Sequence, residues 1–281
     1  MKCLAVSPFT MPAALAAADD LLGNPTWLGD PGDAAQAAWL ESFRRRANLA
    51  ATMSEIHRNA TTSAAEHVAW LKSEGWEAQV TQGTPQDLFL ASTLNIVAKW
   101  REAGRAYKEQ DVDRVLLKKG AFTSTPEARC PVVTVATQHP SFSFCFQQVD
   151  AAPVNGAALM MCAMDMVCRD ARHEVHLDFP MVDLLVRDDA KYMHGLHAGS
   201  NKITQAAEQL RLELNEVGGR ASAAAEIAVT RSFHRTPTTI KMEGPFVVAI
   251  KRNGAPKDTD KVLFAAYVDR EAWKKPAEGR I

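Results

Sequence analysis

The 281-residue sequence lacks several features that define common functional classes. No apolar run approaches the roughly 20 residues that a membrane-spanning helix needs. The formal net charge is -1, so no basic excess favours binding to nucleic acid or to an anionic membrane. Glycine-rich phosphate-binding motifs and the Gly-x-Ser-x-Gly nucleophile elbow are also missing. We therefore expect neither a nucleic-acid partner, nor a membrane partner, nor an enzyme of these classes.

Cysteine is scarce and shows no pairing pattern. The five cysteines are Cys3, Cys130, Cys145, Cys162 and Cys168. Their number is odd and none forms a Cys-x-x-Cys pair, so buried free thiols in a reducing, cytoplasmic compartment are the simplest interpretation. An apolar run up to Ala18 imitates a signal peptide, but Pro8 and Pro12 interrupt it. We therefore expect no cleaved signal peptide.

Histidines offer two weak metal-binding patterns. His173 and His176 would point to opposite faces of a strand, and Gly195 weakens the helix that would bring His194 and His197 together. A cysteine and a histidine could still meet in space as a nucleophile pair, although no local feature marks a cysteine as activated. We expect no metal, no cofactor and no catalytic residues.

Hydrophobic periodicity predicts helices early in the chain and mostly strands later. Predicted helices cover residues 11–22, 33–59, 62–75 and 184–196. Predicted strands cover residues 88–99, 132–135, 141–149, 157–166 and 174–179, and strands dominate from residue 204 onward. Residues 101–109 are charged and are predicted to form a turn region. This order indicates the α+β class, and no repeat or linker divides the chain, so we expect one domain over residues 1–281.

The segment of residues 216–232 is unusually rich in small side chains. At a period of two, one face carries Gly219 and a run of small or apolar residues, and the other carries Arg220 and Glu226. That alternation is typical of a strand with one buried side. Alanine has a low strand propensity, and Gly218 and Gly219 loosen the start of the segment. The pattern therefore indicates a loop that can become a strand.

The sequence around this segment resembles the serpins, serine-protease inhibitors whose reactive loop inserts into a sheet after cleavage. Glu216-x-Gly218 followed by alanines is similar to the serpin hinge, and Ser7-Pro8 resembles the start of an early helix. Residues 245–250 and 262–268 are similar to the closing pair of strands. The resemblance implies a serpin-like fold with a mixed or antiparallel main sheet, a second strand cluster and packed helices.

The resemblance also implies a bait loop within residues 216–242. The hinge would comprise Glu216, Gly218, Gly219, Ala221, Ala223 and Ala225. Serpin-like spacing places the reactive bond at Arg231–Ser232, which suits a trypsin-like serine protease as partner, and Arg235 is the alternative. Small inward residues are needed because an uncompensated buried charge costs several kcal/mol. Arg220 and Glu226 satisfy this requirement because they fall on the outward face.

Several positions depart from the serpin pattern. Serpin domains are longer, and the shortfall falls between residues 23 and 62 and near 197–203. At the shutter beneath the main sheet, the resemblance places Ser92 and Glu208 where the family commonly has asparagine and histidine, and Ser7 is retained. The first inserting position is Gly219 followed by bulky Arg220. These departures favour an alternative, a non-inhibitory interaction or structural protein with an assembly partner.

Overall fold

A computed structural model describes residues 3–29, 32–76, 88–168, 171–189, 191–203, 207–220, 237–255 and 261–277. The chain divides into two compact units. The first unit comprises Met1–Ser7, Ile96–Val186 and Leu210–Ile281, and the second comprises Pro8–Asn95 and Arg187–Gln209. The expected single domain over residues 1–281 stays a prediction.

The described residues form helices and strands that we number in chain order. The helices are α1 Thr10–Leu22, α2 Ala34–Ala50, α3 Ala64–Ser73 and α4 Gly156–Cys168. The strands are β1 Leu4–Val6, β2 Ile56–Thr61, β3 Phe89–Leu94, β4 Val97–Lys99, β5 Arg105–Glu109, β6 Val112–Thr123, β7 Val133–Ala136, β8 Phe142–Gln148, β9 His173–Pro180, β10 Val182–Asp189, β11 His197–Ala198, β12 Asn201–Lys202, β13 Ala207–Leu214, β14 Gly218–Arg220, β15 Thr239–Lys241, β16 Phe246–Arg252 and β17 Val262–Val268. Short 3-10 turns cover Lys191–Met193 and Arg270–Ala272. Among these, no helix is long and apolar enough to cross a membrane.

The first unit contains a large mixed sheet. Its strand order is β1-β17-β16-β8-β7-β6-β9-β15, and β5 pairs with β6 beside this path. Every neighbouring pair is antiparallel except β9 and β15, which run parallel. β17 is buried along its whole length, and Trp100 stacks edge-on against Phe144 and Phe179. Burial of apolar surface therefore stabilises this sheet, by about 25 cal/mol for each Å² removed from water.

Helix α4 covers part of that sheet. Leu159, Ala163, Met166 and Val167 are buried, and their spacing places them on one helical face. They pack in a cluster with Cys145, Val247, Ala249 and Ala265 of the sheet. Burying a side chain such as Leu159 stabilises the fold by about 1.5–3 kcal/mol.

A second, four-stranded sheet has the order β10-β13-β14-β4. β14 pairs antiparallel with both of its neighbours, Leu214 opposite Gly219 on one side and Ala98 opposite Gly219 on the other. The chain therefore carries both the main sheet and the second strand cluster that we expect.

The second unit is built on α1, α2 and α3 with the antiparallel pair β2–β3. Leu15, Phe43 and Leu196 are among its most buried side chains, and α1 packs on both strands. Ser63 caps α3 by accepting a hydrogen bond from the backbone N–H of Glu66. Gly23 ends α1 in the left-handed conformation that glycine adopts without strain.

Four of the predicted elements are wrong. Residues 157–166 form α4 instead of a strand, and residues 184–196 form most of β10 and a 3-10 turn instead of a helix. The predicted helix of residues 33–59 stops at Ala50 and gives way to β2. The predicted turn of residues 101–109 contains β5. α1, α3, β7, β8, β9, β16 and β17 confirm the predictions at their positions, and the predicted strand of residues 88–99 is divided into β3 and β4, which pair in different sheets.

Candidate functional site

The predicted hinge begins in a tight turn between β13 and β14. Asn215 Oδ1 accepts hydrogen bonds from the backbone N–H groups of Val217, at 2.8 Å, and Gly218, at 3.1 Å. The Asn215 N–H donates to the Gly218 carbonyl at 2.9 Å. Trp100 fixes this turn from the side, because its Nε1 donates to the Asn215 carbonyl at 2.8 Å. An asparagine that bonds residues just ahead of it favours such turns.

Glu216 lies at the outer end of this turn. Its carbonyl oxygen accepts a hydrogen bond from the Gly104 N–H at 2.7 Å. Its carboxylate oxygen Oε2 is buried and has no hydrogen-bond partner among the described residues.

The two glycines of β14 are required by close packing. A Cβ atom on Gly218 would lie 2.4 Å from the Ala98 carbonyl oxygen, and one on Gly219 would lie 2.7 Å from Cε1 of Phe144. Both separations are far inside van der Waals contact, and the first neighbour is backbone that cannot turn away. Backbone therefore closes the Gly218 position to a side chain, whereas a side chain at Gly219 would have to displace the ring of Phe144.

The two faces of β14 differ in the way that the sequence predicts. Gly219 is buried and lies beside Leu214 and Ala98, which are also buried. Arg220 lies on the other face, with 36% of its side chain exposed, and it pairs in register with Glu213. Gly219, the first inserting position, therefore lies on the buried face of the sheet, as the sequence predicts. We call Glu213, Arg211 and Arg220 the upstream anchor.

A downstream anchor lies where the chain re-enters the main sheet through β15. Arg114 Nε donates to Asp178 Oδ1 at 2.9 Å, and both side chains are buried. Arg114 also donates to the Met242 carbonyl at 3.0 Å, immediately after β15. The Tyr107 hydroxyl donates to Asp178, and burial together with this carboxylate raises the pKa of Tyr107. Asp178, Arg114 and Tyr107 therefore fix the end of β15.

The predicted shutter residues divide between the two units. The Ser92 hydroxyl donates to the Thr10 carbonyl, and the Thr10 hydroxyl donates to Glu208 Oε1. Ser92 and Glu208 thus share Thr10 in the second unit. Ser7 belongs to the first unit, where its hydroxyl donates to the Leu263 carbonyl at 3.2 Å. Sequence reasoning did not assign Thr10 to the shutter, although it lies two residues after Pro8 at the start of the same helix.

The remaining predicted loop residues lie outside the described residues. These are Ala221, Ala223, Ala225, Arg231 and Ser232, together with the alternative Arg235. Described residues contain no group of three or more histidine, cysteine or acidic side chains that could hold a metal ion.

The cysteines are free, but they are not all buried. Cys3 and Cys145 are buried, and burial raises the pKa of Cys145 to about 11. Cys130 and Cys162 are half-buried and Cys168 is exposed. The prediction of free thiols is confirmed, and the prediction of buried thiols is confirmed for two of the five.

Solved structures with similar folds were found by comparison. Serpin48 of the insect Tenebrio molitor matches with a TM-score of 0.52 and 14% identity, covering 95% of this chain and 92% of that chain. The thermophilic serpin tengpin in its native state matches at 0.59 and 13%, covering 95% and 88%. Thyroxine-binding globulin in complex with thyroxine matches at 0.53 and 12%, covering 95% and 92%.

These similarities establish the fold. Sequence identities of 12–14% support no inference beyond the fold. The chain has the serpin fold, so the predicted fold class and the resemblance to serpins are confirmed. No family model matches the sequence, and no curated protein matches it.

Proposed function

We propose that this chain inhibits a trypsin-like serine protease through a bait loop that inserts as a strand after cleavage. The observation that carries the proposal is the position of β14 between β13 and β4. β14 has a paired strand on each side, and a strand that continues it past Arg220 would keep β13 beside it as a partner for backbone groups. The serpin fold supports the same mechanism.

The register of β14 supports insertion of the residues that follow it. Continued by one residue, the pairing would put Ala221 between Leu212 and Ile96, which are fully buried. Only a small or apolar residue suits that position without loss of packing. The pattern of small residues from Ala221 to Ala225 meets this requirement at every second position.

The reactive bond in this proposal is Arg231–Ser232. Arg231 lies between β14, which ends at Arg220, and β15, which begins at Thr239. Trypsin-like proteases bind a cationic side chain through a carboxylate in their specificity pocket. The protease would form an acyl-enzyme at Arg231, and insertion of the freed upstream segment would then distort the protease before deacylation.

Incubation of the chain with trypsin tests this proposal. We expect a covalent complex that survives SDS and contains a fragment ending at Arg231, identified by mass spectrometry. Arg231→Ala should abolish the complex, while Arg235→Ala should leave it unchanged. Cleavage at Arg231 without a complex, or cleavage that leaves the unfolding temperature unchanged, would contradict inhibition by insertion.

A non-inhibitory role is the second candidate, and a cleft in the first unit favours it. The cleft has a volume of about 510 Å³ and is lined by Phe122, Phe142, His139, Ser143 and Lys251. Small-molecule sites combine apolar walls with a few polar groups, and this lining contains groups of both kinds. Thyroxine-binding globulin shows that a chain with this fold can carry such a ligand. Simple trypsin cleavage without a complex would favour this candidate or a protein assembly partner.

A further inference from the structure

A row of charged side chains crosses the face of the four-stranded sheet that carries Arg220. Glu213 of β13 is fully buried, with 0% of its side chain exposed. Arg211 Nε lies 3.1 Å from its Oε1, and Arg220 Nη1 lies 3.9 Å from its Oε2. Arg211 Nη2 also lies 3.5 Å from Asp183 Oδ1 of β10. Positive and negative groups therefore alternate across three neighbouring strands.

The burial of Glu213 makes this row energetically important. Removing a carboxylate from water costs several kcal/mol unless cations and hydrogen bonds compensate for it. Arg211 supplies one cation from the same strand whether or not β14 is paired. Arg220 supplies a second cation only when β14 lies beside β13. The stabilisation of the buried Glu213 carboxylate by neighbouring cations therefore depends on the pairing of β14 with β13.

We propose that Arg220 and Glu213 form an electrostatic latch that holds β14 in the four-stranded sheet of the uncut protein. The latch keeps Arg220 paired in the sheet, so that insertion of the residues that follow it extends a strand that is already in place. This effect on insertion rests on the proposed inhibitory function, whereas the latch itself does not. Arg220 has 36% of its side chain exposed, so salt can screen the latch.

Hydrogen–deuterium exchange of the uncut protein tests the latch. Peptides covering residues 216–222 are followed by mass spectrometry in the wild type and in Arg220→Glu, which places a carboxylate beside Glu213. We expect exchange in these peptides to be at least about ten times faster in the variant, because like charges that face each other across strands repel. Arg220→Lys should give an intermediate rate, since a lysine keeps the charge but loses the planar guanidinium.

Lys99→Glu is the matched control. It makes the same change of charge in the same sheet, on the exposed side chain opposite Gly218 of β14. We expect its exchange rate in residues 216–222 to match the wild type. The latch is refuted if Arg220→Glu exchanges like the wild type, or if Lys99→Glu accelerates exchange as strongly as Arg220→Glu.

Salt provides a second measurement that needs no variant. Wild-type exchange in residues 216–222 should be faster at about 1 M NaCl than at about 0.05 M, because the Debye length falls to about 3 Å. A rate that does not respond to salt would overturn the latch. The trypsin complex is assayed separately, so a protected β14 without a complex would reject inhibition and leave the latch standing.

Discussion

The upstream and downstream anchors hold the two ends of the same tract in different ways. Each places a buried carboxylate beside an arginine, Glu213 upstream and Asp178 downstream. Downstream, Arg114 is buried, contacts Asp178 at 2.9 Å and also holds the Met242 carbonyl. Upstream, Arg220 is one-third exposed and lies 3.9 Å from Glu213. The contact between arginine and carboxylate is thus shorter and more buried where the tract ends than where Arg220 begins it.

Breaking the downstream anchor should have the largest effect. Asp178→Asn removes the closer carboxylate from the buried guanidinium of Arg114 and leaves Glu109 Oε2 at 3.5 Å from its Nε, so we expect the free energy of unfolding to fall by about 3 kcal/mol. Urea denaturation followed by tryptophan fluorescence measures this change. Glu102→Gln is the control, because Glu102 pairs with Lys119 at the surface and its loss should cost less than about 1 kcal/mol. Equal losses in the two variants would contradict the firm downstream anchor.

Crowding β14 should have the next largest effect. Gly218→Ala puts a Cβ atom 2.4 Å from the Ala98 carbonyl oxygen, and we expect a loss of about 1–3 kcal/mol in the free energy of unfolding. Hydrogen exchange in residues 216–222 should accelerate in the same variant. Gly156→Ala serves as the control, because nothing lies within 4 Å of the added Cβ at the start of α4. A Gly218→Ala variant as stable as Gly156→Ala would show that β14 is not tightly packed.

A rise to alkaline pH should have the smallest effect on the free energy of unfolding. It should act through Tyr107 of the downstream anchor. The pKa of Tyr107 is raised by burial and by Asp178, so the folded chain keeps this proton at a pH where the unfolded chain releases it. Stability from this group is present below about pH 10, the pKa of an unfolded tyrosine, and is lost as the pH rises through the higher folded pKa. The free energy of unfolding should therefore fall less steeply between about pH 9 and 11 in Tyr107→Phe than in the wild type.

Tyr192→Phe is the control for this measurement, because Tyr192 is 39% exposed. Its curve should keep the steepness of the wild type. A slope that Tyr107→Phe does not change would show that the hydroxyl of Tyr107 is not bound to Asp178 in solution.

Elements with clear local signals were predictable from the sequence. The cap at Ser63, the glycine after α1 and the continuous apolar run of β17 each carry their information within a few residues. α4 was predicted wrongly because residues 157–166 are apolar almost throughout, and such a run does not distinguish a buried strand from a helix. β5 was missed because it is polar and largely exposed, and its pairing with β6 is not visible in its own residues.

The candidate site was only partly predictable for a related reason. The inward and outward faces of Gly219 and Arg220 follow from a period of two, which is a local property. The contact between Arg114 and Asp178 joins residues from two distant strands, and no local pattern announces it. The compensation of Glu213 depends likewise on which strands become neighbours. Charges that meet only after folding are therefore the part of the site that required the structure.

The placement of β16 between β8 and β17 bears on the fate of a nicked molecule. A single cut among residues 221–236 would release no polypeptide, since the shorter piece contributes interior strands to the large sheet. The product would migrate as one particle until detergent or denaturant parted its two chains. Separation on a denaturing gel is thus a direct sign that such a cut has occurred.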